Sequence, residues 1–147
     1  MNILIFGKDG QLGQAFRSVF EGATQFSDTQ VHYVGRSDCD LSQADAVKQY
    51  LIDVKPELII NAAAYTAVDK AETEVDLAFA INARAPEVMA LYAAEHGATF
   101  LHYSTDYVFD GSKDGLYIEG DARNPLGVYG KSKAAGEEAI EKVFASS

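Results

Sequence analysis

The chain has 147 residues, 48% of them hydrophobic, and a formal net charge of −10 at pH 7. That length suits one domain with a real core, and the acidic balance argues against a nucleic-acid surface, where phosphate binding needs a basic face. No apolar run approaches the ~20 residues of a membrane helix, and the first residues show no basic n-region and only a short apolar run, so no secretory signal is expected. Cys39 is the single cysteine, so no intramolecular disulfide can form and a reducing cytoplasm is expected. His32, His96 and His102 never fall at ligand spacing, and no metal site is expected from this segment.

Ile3 to Phe6 is wholly apolar, the pattern of a strand buried on both faces of a parallel sheet. It runs straight into Gly7-x-x-Gly10-x-x-Gly13, and Gln11 to Phe20 reads as a helix. Strand, glycine turn and helix are the parts of a dinucleotide-binding βα unit. Gly7 allows the tight turn, Gly10 lets a pyrophosphate approach the backbone, and Gly13 lets the helix pack on the strand while its first amides hold the anion. The bland alternative is an ordinary βα turn with three glycines; the placement between strand and helix weighs against it.

Val31 to Val34 reads as a second strand, ending in Gly35-Arg36-Ser37. The tip of this strand is where such folds meet the adenosine ribose, and a basic residue there accommodates a 2′-phosphate. Arg36 therefore points to NADPH, with NADH as the alternative if Arg36 is only an exposed strand-end residue. Asp38 to Leu41 reads as a very short third strand. Ser42-Gln-Ala-Asp45 has capping-box spacing and is expected to open a helix to about Val54, stopped before Pro56.

Leu58-Ile-Ile60 is another short buried strand, followed by Asn61-Ala-Ala-Ala-Tyr65-Thr66. Three alanines are poor strand formers. Their smallness suits either a flat group lying against the backbone or close helix packing. Val68 to Glu72 and Val75 to His96 read as helix, the longer one closed by Gly97 and kinked or broken near Ala85 by Pro86. Its apolar positions, Leu77, Ala80, Ile81, Ala85, Val88 and Leu91, run close to a 3.6 period. Thr99 to Tyr103 is the next strand, and it delivers Ser104, Thr105 and Asp106 to its C-terminal end, where open α/β sheets place ligands. A polar loop from Asp110 to Asn124 leads to a last helix through Tyr129 to about Phe144. Strands alternating with helices define an α/β class with a doubly wound parallel sheet.

Tyr129 and Lys133 lie four apart at the start of that helix and project from one face. A phenol is a poor proton donor at pH 7 unless a neighbouring ammonium favours its ionised form. Thr105, from the adjacent strand end, could hydrogen-bond the same carbonyl oxygen. Such a trio beside a nicotinamide is a hydride-transfer site. A Tyr-x-x-x-Lys pair alone is weak; the order of glycine turn, small-residue strand end, Ser-Thr strand end and Tyr-x-x-x-Lys strengthens it.

Four segments carry a resemblance: Phe6-Gly-Lys-Asp-Gly-Gln-Leu-Gly13, Asn61-Ala-Ala-Ala-Tyr-Thr-Ala-Val-Asp-Lys-Ala-Glu72, His102-Tyr-Ser-Thr-Asp-Tyr-Val-Phe-Asp-Gly111 and Pro125-Leu-Gly-Val-Tyr-Gly-Lys-Ser-Lys-Ala-Ala-Gly-Glu137. Through them nearly the whole chain resembles the extended short-chain dehydrogenase/reductase family, and the second and third segments resemble its ketoreductase branch. The resemblance implies a Rossmann-like domain with helices on both faces of the sheet. It implies reduction by NADPH of the C4 ketone of dTDP-4-dehydro-L-rhamnose, giving dTDP-L-rhamnose for cell-surface polysaccharide.

The roles implied are Tyr129 as proton donor, Lys133 as its activator and ribose anchor, and Thr105 as third catalytic residue. Gly7 and Gly13 would shape the turn, with Gly10, Gln11 and Leu12 on the pyrophosphate and Asp40 and Leu41 beside the adenine. Ala63, Ala64, Tyr65, Thr66 and Tyr103 would line the rest of the cofactor site. Thr66, Val68, Thr105, Asp106 and Tyr107 would face the sugar. Related dehydratases carry Thr-Asp-Glu where this chain has Thr105-Asp106-Tyr107, so dehydration is disfavoured. The family also contains epimerases and a non-catalytic regulator, the methionine adenosyltransferase beta subunit, as alternatives.

Family members run to about twice this length. The chain is therefore expected to be the cofactor-binding portion of a longer, homodimeric reductase, or else a naturally short relative. A strand missing after the last helix would leave an open sheet edge.

Overall fold

A computed structural model describes residues 1–147 in full. Four strands, β1 (Asn2–Phe6), β2 (Gln30–Val34), β3 (Leu58–Asn61) and β4 (Thr99–His102), form one parallel sheet in the order β2-β1-β3-β4. Phe6 pairs with Val34 on one side and Asn61 on the other, and Asn61 pairs with His102. The C-terminal ends of all four strands are thus level. The chain moves outward from β1 to β2, then crosses to β3 on β1's other side, which makes the β1/β3 boundary a topological switch point.

Alternation along β1 explains both faces. Leu4 and Phe6 join Val47 and Leu51 of α2 (Ala44–Val54) and Val88, Met89 and Tyr92 of α5 (Ala85–His96) in the main core. Ile3 and Ile5 point the other way, joining Ile60 and the rings of Phe16 and Phe20 from α1 (Gln11–Gly22). Each of these fully buried β1 side chains contributes roughly 1.5–3 kcal/mol relative to an exposed one. Helices therefore cover both faces, as in a doubly wound sheet.

The remaining helices pack against one another and against the start of α5. Two short pieces, α3 (Val68–Ala71) and α4 (Val75–Phe79), lead into a π-helical stretch from Ala80 to Arg84 and then into α5. The final helix α6 (Val128–Ala145) lies against α5 and the π-helical stretch. Its first amide, Val128 N, donates to Glu72 Oε1 at 2.9 Å, so a carboxylate from beyond α3 caps it. No helix is long and apolar enough to cross a membrane.

Several expectations need correction. Asp38–Leu41 is not a strand: the amides of Asp38 and Cys39 both turn back to the Gly35 carbonyl. Ser42 and Asp45 form no capping box, because Ser42 donates its hydroxyl to Asp40 and Gln43 is the residue flanking α2 without a side-chain cap. Lys55, at a φ of 52°, closes α2 ahead of Pro56. The break expected near Ala85 is present as a π-helical stretch, Ala80–Arg84, after which α5 starts at Ala85. Pro86 has no amide to give the Asn82 carbonyl, and the π-helical stretch takes up the change of register. Leu77 and Leu91 are exposed, while Ala78, Met89 and Ala93 are buried. β4 ends at His102, one residue short of Tyr103.

Candidate functional site

The glycine turn sits at the switch point. Gly7 adopts a φ of +88°, and a Cβ there would lie 2.7 Å from the Ala62–Ala63 backbone, so the turn packs directly on the end of β3. A Cβ on Gly13 would collide with the Gly7 carbonyl oxygen. The fold itself therefore requires two of the three glycines. Gly10 differs: its φ is −78°, and a Cβ would meet nothing closer than 3.5 Å. Nothing in the protein demands a glycine there. Gly10 flanks α1 without a side-chain cap, and the amides of Gln11, Leu12 and Gly13 have no protein acceptor. Bare backbone at Gly10 and three orphaned amides fit a pyrophosphate.

At the tip of β2, Arg36 is exposed. Lys8 and Asp9 lie over Gly35, where a Cβ would come within 2.9 Å of Lys8 Cε and 2.5 Å of Asp9 Oδ2. Lys8 thus joins Arg36 at the strand tip, a basic neighbour that the spacing of the glycine turn did not reveal. Asp40 accepts from the Ser42 amide at 2.9 Å and hydroxyl at 2.7 Å, and these bonds hold its carboxyl below the usual range. Leu41 is half-buried against the main core.

Beyond β3, Ala63 and Ala64 are half-buried and Thr66 is exposed. Tyr65 is buried, with its ring beside Ala71, Ala78 and Tyr129. Its hydroxyl donates to Glu74 Oε2 at 2.5 Å, and this bond, more than burial, pushes its pKa up to about 12. Its amide donates to Asn82 Oδ1 at 2.8 Å and its carbonyl accepts from Asn82 Nδ2 at 3.0 Å. Every polar group of Tyr65 already has a protein partner. Val68 is half-buried against the same cluster.

The ends of β4 and α6 bring the remaining residues together. Lys133 is 3% exposed, and its Nζ donates to the Tyr103 carbonyl at 2.6 Å. Burial lowers its pKa, while Glu137 acts in the opposite sense. Tyr129, one turn earlier on α6, is 9% exposed, and the Tyr107 ring meets it edge-on with centroids 5.4 Å apart. Thr105 is half-buried and flanks a 3₁₀ turn from Asp106 to Val108; its hydroxyl accepts from the Tyr107 amide at 3.3 Å. Tyr107 and Asp106 are exposed. Tyr103 is partly exposed, its ring centroid 6.3 Å from that of Phe16 on α1.

Sequence reasoning missed Asn82, Ser132 and Glu137. Asn82 is 1% exposed and also donates to Ser132 Oγ at 3.0 Å; Ser132 donates to the Tyr129 carbonyl at 2.8 Å. An asparagine inside an apolar helix pattern, four residues before Pro86, was the available signal.

A parallel β2-β1-β3-β4 sheet with a glycine turn after β1 and Tyr129 and Lys133 on the helix beside β4 defines a Rossmann-like fold of the dehydrogenase/reductase type. The chain belongs to the family described as the RmlD substrate binding domain, whose model matches residues 1–147. It is 44% identical over 148 residues to the dTDP-4-dehydrorhamnose reductase of Escherichia coli (strain K12), covering 99% of this chain and 48% of that protein. The crystal structure of a dTDP-4-dehydrorhamnose reductase from Clostridium acetobutylicum superposes with a TM-score of 0.89 at 39% identity, over 97% of this chain and 50% of the other. A Bacillus anthracis dTDP-4-dehydrorhamnose reductase solved in complex with NADP gives 0.85 at 33%, over 97% and 49%. The chain spans about half the length of the curated relatives it matches.

Proposed function

We propose that residues 1–147 are the NAD(P)-binding domain of a reductase that converts dTDP-4-dehydro-L-rhamnose to dTDP-L-rhamnose. The observation that carries this is the Lys133 ammonium, buried and fixed on the Tyr103 carbonyl one helical turn from Tyr129, at the same sheet end as the glycine turn. NADPH, when bound, supplies the hydride that reduces the C4 carbonyl. The amides of Gln11, Leu12 and Gly13 hold its pyrophosphate, and Arg36 faces its 2′-phosphate. Lys133 anchors the nicotinamide ribose. Tyr129 gives its proton to the oxygen as the alcohol forms, and Thr105 holds that oxygen by a hydrogen bond. Thr66, Val68, Asp106 and Tyr107 face the sugar. Tyr107, where a dehydratase carries a carboxylate base, supports reduction rather than elimination. The wider reading is of a cytoplasmic homodimer acting on a dTDP-sugar.

The test is titration with NADPH and NADH, read by nicotinamide fluorescence, with Arg36→Ala alongside. NADPH binding that weakens in the variant while NADH binding does not supports the reading. Binding of neither cofactor overturns it.

A further inference from the structure

Tyr129, Lys133, Glu137 and Glu141 recur every fourth residue and so form one stripe along α6. The first two belong to the proposed reaction, and the next two hold a network it does not use. Glu137 Oε1 accepts from the Ser104 hydroxyl. Glu137 Oε2 accepts from Arg123 Nη1 at 2.7 Å, and Arg123 also grips Glu141 by two parallel bonds of 2.9 and 2.8 Å. Glu137 and Arg123 side chains are only 21% and 23% exposed, so this is a partly desolvated pair rather than a mobile surface contact.

The arrangement has a direct geometric consequence. Tyr103 and Ser104 are consecutive at the end of β4; Lys133 ties the first to α6 and Glu137 ties the second. Thr105, the next residue, leaves the strand from that double attachment. Two titratable groups, Glu137 and His102, interact with the Lys133 ammonium. Glu137 favours its charged form. His102, on β4, is kept neutral, its pKa pushed down to about 4 by burial first and by Lys133 second. Glu137 is the one of the two whose charge compensates the buried ammonium.

We propose that Glu137, itself held by Arg123, is a positioning residue that locks Lys133 and the Ser104–Thr105 strand end into one frame with Tyr129. What that frame serves rests on the reductase reading above. Glu137→Gln keeps the shape and removes the charge. Arg123→Gln, on the loop side, releases Glu137 from outside the helix.

The experiment follows the Lys133 side-chain resonance by NMR as pH is raised, in the 147-residue chain and both variants, with Lys133→Arg to assign the peak. NADPH affinity and thermal melting are measured beside it. The expected result is that Lys133 titrates at lower pH in Glu137→Gln than in the wild type, that NADPH binds about fivefold more weakly, and that Arg123→Gln shifts both in the same direction. An unchanged Lys133 titration in both variants overturns the proposal, even if melting falls, because a merely structural role would lower stability alone. If the wild type fails to bind NADPH, the reductase reading fails, and the Lys133 titration still decides the role of Glu137.

Discussion

Asn82 holds the backbone of Tyr65 at both ends, accepting from its amide at 2.8 Å and donating to its carbonyl at 3.0 Å. The two residues come from different sides of the site, Asn82 from the π-helical stretch and Tyr65 from the segment after β3. Ser132 extends the link to α6, so one buried amide group joins the segment after β3 to the helix that bears Tyr129 and Lys133.

Replacing Asn82 by Ala leaves the Tyr65 amide and carbonyl buried without partners. The expected loss is about 2–4 kcal/mol of unfolding free energy in chemical denaturation. Ser132→Ala removes only the outer bond, with an expected cost of about 1 kcal/mol. Equal effects from the two would contradict the central place given to Asn82.

Gly10 and Gly13 should separate cleanly. Gly13→Ala drives a methyl group into the Gly7 carbonyl and is expected to cost about 3 kcal/mol in stability. Gly10→Ala meets no protein atom closer than 3.5 Å, so its denaturation midpoint should match the wild type. Its NADPH affinity should fall about tenfold, near 1.4 kcal/mol, because the methyl occupies the pyrophosphate's approach. A destabilised Gly10→Ala with intact affinity would show that the glycine serves the fold.

His102 makes stability depend on pH. Asn61 Oδ1 accepts from the Ala63 amide, which orients Asn61 Nδ2 toward His102 Nδ1 and leaves the imidazole proton on the buried Nε2. Burial, assisted by Lys133, depresses the pKa from 6.5 to about 4. The unfolded chain therefore binds this proton more readily than the folded one. The neutral-His contribution is complete above about pH 6.5, is lost as pH falls toward 4, and changes no further below that. The loss amounts to about 3 kcal/mol across the window. Denaturation curves between pH 8 and 4 measure it, and in His102→Gln the component assigned to this group should vanish.

Much of the fold was legible because it depends on local pattern. The apolar run Ile3–Phe6, the glycine turn and the strand expected over Thr99–Tyr103 place β1, α1 and β4 almost where the structure has them. Asp38–Leu41 misled because alternating polar and apolar residues resemble an edge strand, while the chain turns through hydrogen bonds to Gly35 that no periodicity encodes. The π-helical stretch was foreshadowed by Pro86, but the side chain that makes it useful was not. Asn82 matters through partners 17 and 50 residues away. The Ser104–Glu137–Arg123 chain is hidden for the same reason: its members lie on a strand end, a helix and a loop. What spacing could reveal was the pair on a single helix, Tyr129 and Lys133.

Backbone amide shifts of the isotopically labelled chain on addition of NADPH locate the bound cofactor residue by residue. The largest changes are expected at Gly10, Gln11, Leu12 and Gly13, with further changes at Arg36, Tyr103 and Lys133. Changes confined to the groove between α5 and α6, around Leu91 and Ala139, or the absence of any change at saturating NADPH, would contradict a cofactor site at the glycine turn.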